Sequence, residues 1–386
     1  MAHRQNIEED SILLKQDDGA QQHRAPAGAG FPHGRHLVAQ DGFGSNPGNL
    51  AMFKYVPDGL PAQAPLVVIL HGCGQKAAGY DVGTGWSELA DRWGFALLLP
   101  EQQPANNRGG CFNWFEPGDV ECDKGEVGSI RQMIERMRID HDIDPARIFV
   151  TGLSAGGAMA VALMAVYPEV FAGGGIIAGM PYKSASGMPK AFMAMLRGKT
   201  RPAADWGDLV RGATDHQGPW PRISIWQGDA DRTVAPVNAV ELANQWANLH
   251  GASGPAAEDM VNGHRRTTLH NADGAAVVEL YTIAGMSHGT PIDPGDAEHQ
   301  IGTEGPFLLS AGIASTWHIA RFWGLGPETA APAPEVEIEA AAPAEIETPS
   351  PAEPAPAFTY HPPAKSEKPG LVKRLWRALK GIVSRG

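Results

Sequence analysis

A serine in a glycine-rich turn is the residue of this sequence best suited to nucleophilic chemistry. Ser154 lies in the run Gly152-Leu153-Ser154-Ala155-Gly156, which follows the apolar stretch Ile148–Val150 and precedes a small-residue helical pattern. A strand that turns this sharply into a helix strains the serine backbone and lifts its hydroxyl clear of the sheet. Gly152 and Gly156 leave room for the chain to pass itself. We therefore predict that Ser154 is a nucleophile at the start of a helix, whose positive end favours an anionic intermediate.

A nucleophilic serine needs a base, and the base needs an acid that orients it. His288 is the predicted base, because it lies among small residues in a loop after the apolar strand Val277–Tyr281. Asp231 is the predicted acid, in a loop after the strand Ile223–Trp226, where a carboxylate can reach the carboxyl edge of a sheet. Asp229 is the alternative acid, and a turn carboxylate that caps the next helix is the structural alternative for both.

Backbone N–H groups can stabilise the negative charge that develops on an attacked carbonyl oxygen. The run Leu70-His71-Gly72-Cys73-Gly74 ends an apolar strand upstream of Ser154. The N–H groups of Cys73 and Ala155 are the predicted donors, and one such donor can contribute about 3 kcal/mol of transition-state stabilisation. An ordinary strand-ending turn is the alternative interpretation of His71 and Gly72.

Apolar runs alternate with helical patterns along the central part of the chain. Apolar runs predict strands at 37–39, 52–56, 66–70, 95–99, 148–153, 171–178, 223–226 and 277–281. Helical spacing predicts helices at 86–93, 125–140, 155–167, 237–249 and 309–323. Strands that alternate with helices form a mostly parallel sheet with helices on both faces, so the predicted fold class is α/β.

Composition and charge disfavour several classes of protein. The chain has 386 residues, of which 43% are hydrophobic, so it can bury a large core. Its net charge of -12 disfavours nucleic acid as a partner, because phosphate binding requires a basic face. We find neither an apolar run long enough for a transmembrane helix nor a visible signal peptide.

Three cysteines, Cys73, Cys111 and Cys122, are spread through the first third of the chain. Their spacing is not that of a metal finger, so we predict no metal site and no cofactor. The sequence is equally consistent with three buried thiols and with one disulfide plus a free thiol.

The two ends of the chain differ in composition from its centre. We predict a flexible N-terminal arm at 1–35 and a single catalytic domain at 36–326. Residues 327–368, dominated by alanine, proline and glutamate, are predicted to form a disordered linker. Residues 369–386 place leucines and a tryptophan on one helical face and basic residues on the other. This pattern predicts an amphipathic helix that contacts a membrane or granule surface, with a solvated tail as the alternative.

Further runs of the sequence match the pattern of one known family. They are Pro100-Glu101-Gln102, Cys111-Phe112-Asn113-Trp114-Phe115, Gly285-Met286-Ser287-His288-Gly289 and Phe322-Trp323-Gly324-Leu325. With the runs at 70–73, 152–159 and 228–234, they make the chain resemble the poly(3-hydroxybutyrate) depolymerase family of esterases, of the short-chain-length polyhydroxyalkanoate type. The resemblance covers residues 36–325 and implies an α/β-hydrolase fold.

This resemblance implies roles for the chemically active residues described above. It implies that Ser154, Asp231 and His288 form a catalytic triad, and that the N–H groups of Cys73 and Ala155 form the oxyanion hole. It implies no cofactor.

The resemblance also implies a disulfide between Cys73 and Cys111. Such a bond would hold the aromatic run Cys111–Phe115 beside the oxyanion loop. We therefore predict that Asn113 and Trp114 line the substrate cleft, with plain core packing as the alternative.

The predicted activity is that of a serine esterase that hydrolyses a polyhydroxyalkanoate or its oligomers. A feruloyl or acetyl-xylan esterase is the alternative within the same chemistry, because related folds carry the same triad. A catalytically idle protein that binds a granule or a membrane is the alternative from another class. The family is usually secreted, but no signal peptide is visible, so the compartment is left open.

Overall fold

A computed structural model describes residues 36–252, 254–327 and 358 of the chain. The predicted N-terminal arm, nearly all of the predicted linker and the predicted C-terminal helix lie outside the described residues. None of the helices in the described part of the chain is long and apolar enough to cross a membrane.

The described residues contain a ten-stranded sheet with the order β1-β2-β4-β3-β5-β6-β7-β10-β9-β8. Its strands are β1 (Val38–Ala39), β2 (Ala51–Tyr55), β3 (Ala64–Leu70), β4 (Ala96–Glu101), β5 (Ile143–Leu153), β6 (Gly173–Ile177), β7 (Arg222–Gly228), β8 (Ala257–Val261), β9 (His264–His270) and β10 (Ala276–Ile283). The six central strands, from β4 to β10 in sheet order, run parallel to one another. The outer strands at both edges are antiparallel.

Helices cover both faces of this sheet. They are α1 (Ala77–Thr84), α2 (Trp86–Trp93), α3 (Gly125–His141), α4 (Ala155–Val166), α5 (Met188–Arg197), α6 (Ala203–Arg211), α7 (Val237–Leu249) and α8 (Ser315–Phe322). Successive side chains of a strand point to opposite faces, so Val68 packs in the core with α3, α4 and α7. Its neighbour Val67 packs in the core with α1, α2 and α8. The prediction of a mostly parallel sheet with helices on both faces is confirmed.

The last predicted helix, 309–323, was wrong at its start. Leu308–Ser310 forms a short strand, β12, which pairs with a second short strand, β11 (Thr290–Ile292). Gly312 then takes a φ of 70°, a left-handed conformation that ends the strand segment, and α8 begins only at Ser315. The sequence analysis also missed the antiparallel hairpin of β8 and β9 and the helices α5 and α6.

The parallel strands place the candidate site residues at one edge of the sheet. Strands β3, β5, β6, β7 and β10 all end at the same, carboxyl edge because they run parallel. The loops and helices that follow these strands therefore start close to one another, which is where ligands bind in open parallel sheets.

Candidate active site

Ser154 lies between β5 and α4 in a strained turn. Its φ of 57° and ψ of -115° are unfavourable for a residue with a side chain, and its N–H donates to Ile177 O at 2.8 Å. A Cβ on Gly152 would lie 2.5 Å from the carbonyl carbon of Gly156, and a Cβ on Gly156 would overlap the carbonyl oxygen of Leu70. These two glycines therefore allow the helix to start directly against the end of β3.

The structure brings Asp231 and His288 together. His288 Nδ1 lies 2.7 Å from Asp231 Oδ2, and the Asp231 side chain is fully buried. The other carboxylate oxygen accepts the N–H groups of Thr233 and Val234 at 2.8 and 2.9 Å, and Gln227 Nε2 donates to Oδ2 at 3.1 Å. A carboxylate can only accept, so His288 carries its proton on Nδ1 and presents Nε2 as a proton acceptor.

Asp229, the alternative acid, contacts a different part of the histidine loop. Its Oδ1 accepts the N–H of Gly285 at 2.7 Å, and its own N–H donates to Ile283 O at 3.1 Å. Gly228 lies so close to Met286 that a side chain there would overlap its carbonyl oxygen. Asp229 therefore joins the two loops, while Asp231 contacts the imidazole.

The loop with the predicted oxyanion donor is bound by a buried histidine. His71 Nε2 accepts the N–H of Gln102 at 3.1 Å, so His71 Nδ1 carries the proton and donates to Gly72 O at 2.8 Å. Burial lowers the pKa of His71, which is consistent with this neutral form. The Gly72 carbonyl and the Cys73 N–H belong to one planar peptide, so fixing the oxygen also fixes the direction of the N–H. Within the described residues, the N–H groups of Cys73 and Ala155 donate to no protein acceptor.

A disulfide binds the same loop to the segment after β4. Cys73 and Cys111 are joined with an S–S distance of 2.11 Å, and the N–H of Gly74 donates to Gly109 O at 2.9 Å. The third cysteine, Cys122, is an exposed free thiol. The loop with the predicted oxyanion donor thus has two connections to residues 102–111, one through His71 and one through the disulfide.

A buried carboxyl group at the start of α3 organises the segment 102–113. Glu126 accepts the N–H of Asn113 at 2.8 Å, the Asn113 side-chain amide at 2.9 Å and the Gln102 side-chain amide at 2.5 Å. Burial, with a smaller contribution from Asp119, raises the pKa of Glu126 to about 8, although these donors oppose the rise. Gln102 also donates to Cys111 O at 2.9 Å, so Glu126 is connected, through Gln102, to both residues that hold the loop with the predicted oxyanion donor.

The predicted substrate residues lie in this same segment. The Asn113 side chain is occupied by Glu126 and by Asn107 Nδ2, which donates to it at 2.9 Å. Trp114 is largely buried and packs edge to face on Phe115, with ring centroids 5.5 Å apart. Their contact with substrate stays a prediction.

Three residues near the site were missed by the sequence analysis. The sequence did not show that Gln102 and Glu126 are connected with His71. It also gave no role to Phe307, whose ring centroid is 6.0 Å from that of His288. One signal was present for Glu126, because it shares a helical face with the apolar residues Ile130 and Met133. A lone acid on an apolar face indicates a buried polar contact. In the described residues, no group of three histidines, cysteines or acids could hold a metal ion.

The strained serine at a strand–helix junction, in a parallel sheet covered on both faces, defines the class of this protein as an α/β-hydrolase. A solved structure supports this class: an acetyl xylan esterase from Aspergillus awamori aligns with a TM-score of 0.60 at 24% identity, over 66% of this chain and 94% of that one. The family described as Esterase PHB depolymerase matches residues 50–269. The chain belongs to this family and is an ester hydrolase.

Sequence relatives give the same family and one neighbouring group. Poly(3-hydroxyalkanoate) depolymerase C of Paucimonas lemoignei is 49% identical over 291 residues, which is 75% of this chain and 70% of the relative. Feruloyl esterase B of Neurospora crassa is 32% identical over 256 residues, which is 64% of this chain and 86% of the relative. Sequence identity is thus greater to the poly(3-hydroxyalkanoate) depolymerase than to the feruloyl esterase.

Proposed function

We propose that the chain hydrolyses esters through an acyl-enzyme formed on Ser154, with His288 as general base and Asp231 as its orienting acid. The observation that carries this proposal is the 2.7 Å hydrogen bond between His288 Nδ1 and Asp231 Oδ2. It joins loops that start at the same edge of the sheet as the strained turn of Ser154. The opposite nitrogen of the imidazole, Nε2, is then available to accept a proton.

In the first half-reaction, Ser154 Oγ attacks the ester carbonyl carbon and its proton passes to His288 Nε2. The imidazolium that forms is stabilised by the buried carboxylate of Asp231. The carbonyl oxygen becomes an oxyanion, which the N–H groups of Cys73 and Ala155 stabilise. The C–O bond to the leaving alcohol then breaks, and the alcohol oxygen takes the proton from Nε2.

In the second half-reaction, water releases the acyl group. His288 Nε2 accepts a proton from water as its oxygen attacks the acyl carbon of the Ser154 ester. The tetrahedral intermediate collapses, the carboxylic acid leaves, and the proton on Nε2 returns to Ser154 Oγ.

For the substrate we propose a polyhydroxyalkanoate or its oligomers. The 49% identity to a poly(3-hydroxyalkanoate) depolymerase supports this class, as does the aromatic segment beside the oxyanion loop. A feruloyl-type carbohydrate esterase is the second candidate, supported by the 32% identity to feruloyl esterase B.

A turnover panel and one active-site variant test this proposal. Wild type should hydrolyse hydroxybutyrate oligomers with a higher kcat/KM than feruloyl esters, acetylated xylan or p-nitrophenyl esters. Ser154→Ala should lose about 10⁶ in kcat and should no longer react with a fluorophosphonate probe. Ser184→Ala, a buried serine after β6, is the matched control and should label as wild type does. Labelling of Ser154→Ala would exclude Ser154 as the nucleophile, and preference for feruloyl esters would favour the second candidate.

A further inference from the structure

Helix α5 turns an apolar face outward. Met188, Met193 and Leu196 have 58%, 45% and 40% of their surface exposed, and Phe192 is partly exposed. At 100° per residue, these four side chains fall within one contiguous sector of the helix surface. The opposite side of the helix is buried through small residues, Ala191 and Ala194. Single exposed apolar residues are common, but a continuous exposed sector of large ones marks an interaction surface.

The segment that contains α5 is positively charged in an acidic protein. Residues 170–204 contain no aspartate or glutamate, although the whole chain has a net charge of -12. The segment carries five cations: Lys183, Lys190, Arg197, Lys199 and Arg201. Two of them, Lys190 and Arg197, are exposed on α5 and border its apolar face. The surface is therefore apolar at its centre, with two cations along the rim on one side.

Both ends of α5 are attached to segments that form the candidate active site. At its start, the N–H of Gly187 donates to Phe115 O at 2.8 Å, next to Trp114. At its end, the N–H of Ala235 donates to Met195 O at 2.8 Å, four residues after Asp231. The helix follows β6, whose carboxyl end lies between those of β5 and β7. The helix is thus bonded at both ends to segments that belong to the edge of the sheet that carries Ser154.

We propose that the outward face of α5, formed by Met188, Phe192, Met193 and Leu196, is the surface by which this enzyme adsorbs to a solid aliphatic polyester. The inference rests on the proposed function and deepens it, since it specifies where an insoluble substrate contacts the protein.

The chemistry of such a polymer fits both parts of the surface. A polyhydroxyalkanoate presents alkyl groups and neutral esters, which an apolar helix face can contact without desolvating a charge. Thioether side chains are flexible, so methionines adapt to an irregular surface. Each hydrolysed ester leaves a carboxylate on the polymer, which Lys190 and Arg197 can pair with at the rim. The net charge of -12 on the whole chain would otherwise oppose contact with those carboxylates.

The test compares a triple variant and a double control variant of the full chain with wild type. The test variant is Met188→Gln/Met193→Gln/Leu196→Gln, which keeps side-chain size and helix propensity while removing apolar surface. The control is Ile139→Gln/Met260→Gln, because these residues are 75% and 65% exposed but lie on α3 and the outer strand β8. Each protein is measured for adsorption to polyhydroxybutyrate granules, for hydrolysis of a soluble p-nitrophenyl ester, and for mass in solution.

We expect the test variant to lose about tenfold in granule adsorption and in granule hydrolysis, while its kcat/KM on the soluble ester stays within twofold of wild type. The control should adsorb as wild type does. Equal adsorption by the test variant and wild type, or an equal loss in the control, would overturn the proposal. If the triple variant loses soluble activity as well, the comparison is repeated with the single variant Met193→Gln. This variant should lose less adsorption than the triple variant but still adsorb more weakly than wild type. Adsorption equal to that of wild type would overturn the proposal.

Other occupants of the face give distinct results. If wild type is a dimer in solution and the triple variant is a monomer, the face binds a second copy of this chain and the proposal is overturned. If wild type binds phosphatidylglycerol vesicles and the triple variant does not, while granule adsorption is unchanged, the face binds a membrane and the proposal is overturned. Absence of soluble ester hydrolysis in wild type would contradict the proposed function itself, whereas normal soluble hydrolysis without granule adsorption would contradict only the surface assigned to α5.

Discussion

The Nδ1–H of His288 donates to Oδ2 of Asp231 at 2.7 Å, and this hydrogen bond joins the loops that follow two neighbouring parallel strands. Asp229, two residues earlier, instead accepts the N–H of Gly285 in the histidine loop. The two aspartates therefore hold the same pair of loops, but only Asp231 acts on the tautomer and charge of the imidazole.

This difference predicts unequal effects of removing the two charges. Asp231→Asn should lower kcat by about 10⁴, because an amide cannot stabilise the imidazolium and favours the wrong tautomer. Asp229→Asn keeps an oxygen for the Gly285 N–H and should cost far less. Steady-state kinetics on a soluble ester checks both variants, and equal losses would contradict the assignment of Asp231 as the acid.

His71 is expected to act on the rate through the direction of the Cys73 N–H. His71→Phe removes the hydrogen bonds to Gly72 O and from the Gln102 N–H. If Cys73 supplies an oxyanion donor, kcat should fall by about 10² to 10³ with a much smaller change in KM.

The control for this prediction is His250→Phe, since His250 is a half-buried histidine whose Nε2 lies 3.0 Å from a backbone carbonyl oxygen, Pro221 O, away from the loop. It should lower thermal stability without lowering kcat. A His71→Phe protein that loses only stability would show that His71 has a purely structural role.

Glu126 should make the stability of the protein depend on pH in a defined window. Burial raises its pKa from 4.5 to about 8, so the folded state binds this proton more tightly than the unfolded state does. Its contribution to stability is therefore complete below pH 4.5 and is lost as the pH rises towards 8. Glu126→Gln does not titrate, so the free energy of unfolding of wild type should fall relative to that of the variant across this window.

Urea unfolding at a series of pH values measures this difference. The control is Glu279→Gln. The buried carboxyl of Glu279 accepts a hydrogen bond from Ser224 Oγ at 2.6 Å, and burial raises its pKa to about 7. The pH range over which Glu279 loses its contribution to stability should therefore end about one pH unit lower than that of Glu126. A difference between wild type and Glu126→Gln that stays constant from pH 4.5 to 8 would contradict this account of Glu126.

Trp114 gives a prediction that separates substrate binding from core packing. Trp114→Ala should raise KM for hydroxybutyrate oligomers more than KM for a small acetyl ester, because only the oligomer reaches an aromatic wall. Trp114→Phe keeps an aromatic ring and should retain most of the oligomer affinity. Equal changes on both substrates, or unfolding of the alanine variant, would favour plain core packing.

The sequence by itself determined the fold class and indicated the candidate residues for the chemistry. Local geometry explains why the turn at Ser154 could be predicted, because a Gly-x-Ser-x-Gly run between an apolar strand and a helical pattern allows few backbone paths. The alternation of strands and helices determined the parallel sheet in the same way, since each pattern reports burial along its own segment. His288 was identifiable from its position after a predicted strand, before any contact was known.

Only the tertiary structure decided how these residues are connected. Two aspartates two residues apart have the same local signal, and the turn after β7 decides which carboxylate contacts His288. His71 meets Gln102 across 31 positions of sequence, and Leu308–Ser310 became a strand by pairing with Thr290–Ile292. Helical spacing likewise could not show that the apolar face of α5 points outward. Such contacts depend on segments that are distant in sequence. The periodicity of a segment indicates which residues share a face, but it does not indicate what packs against that face.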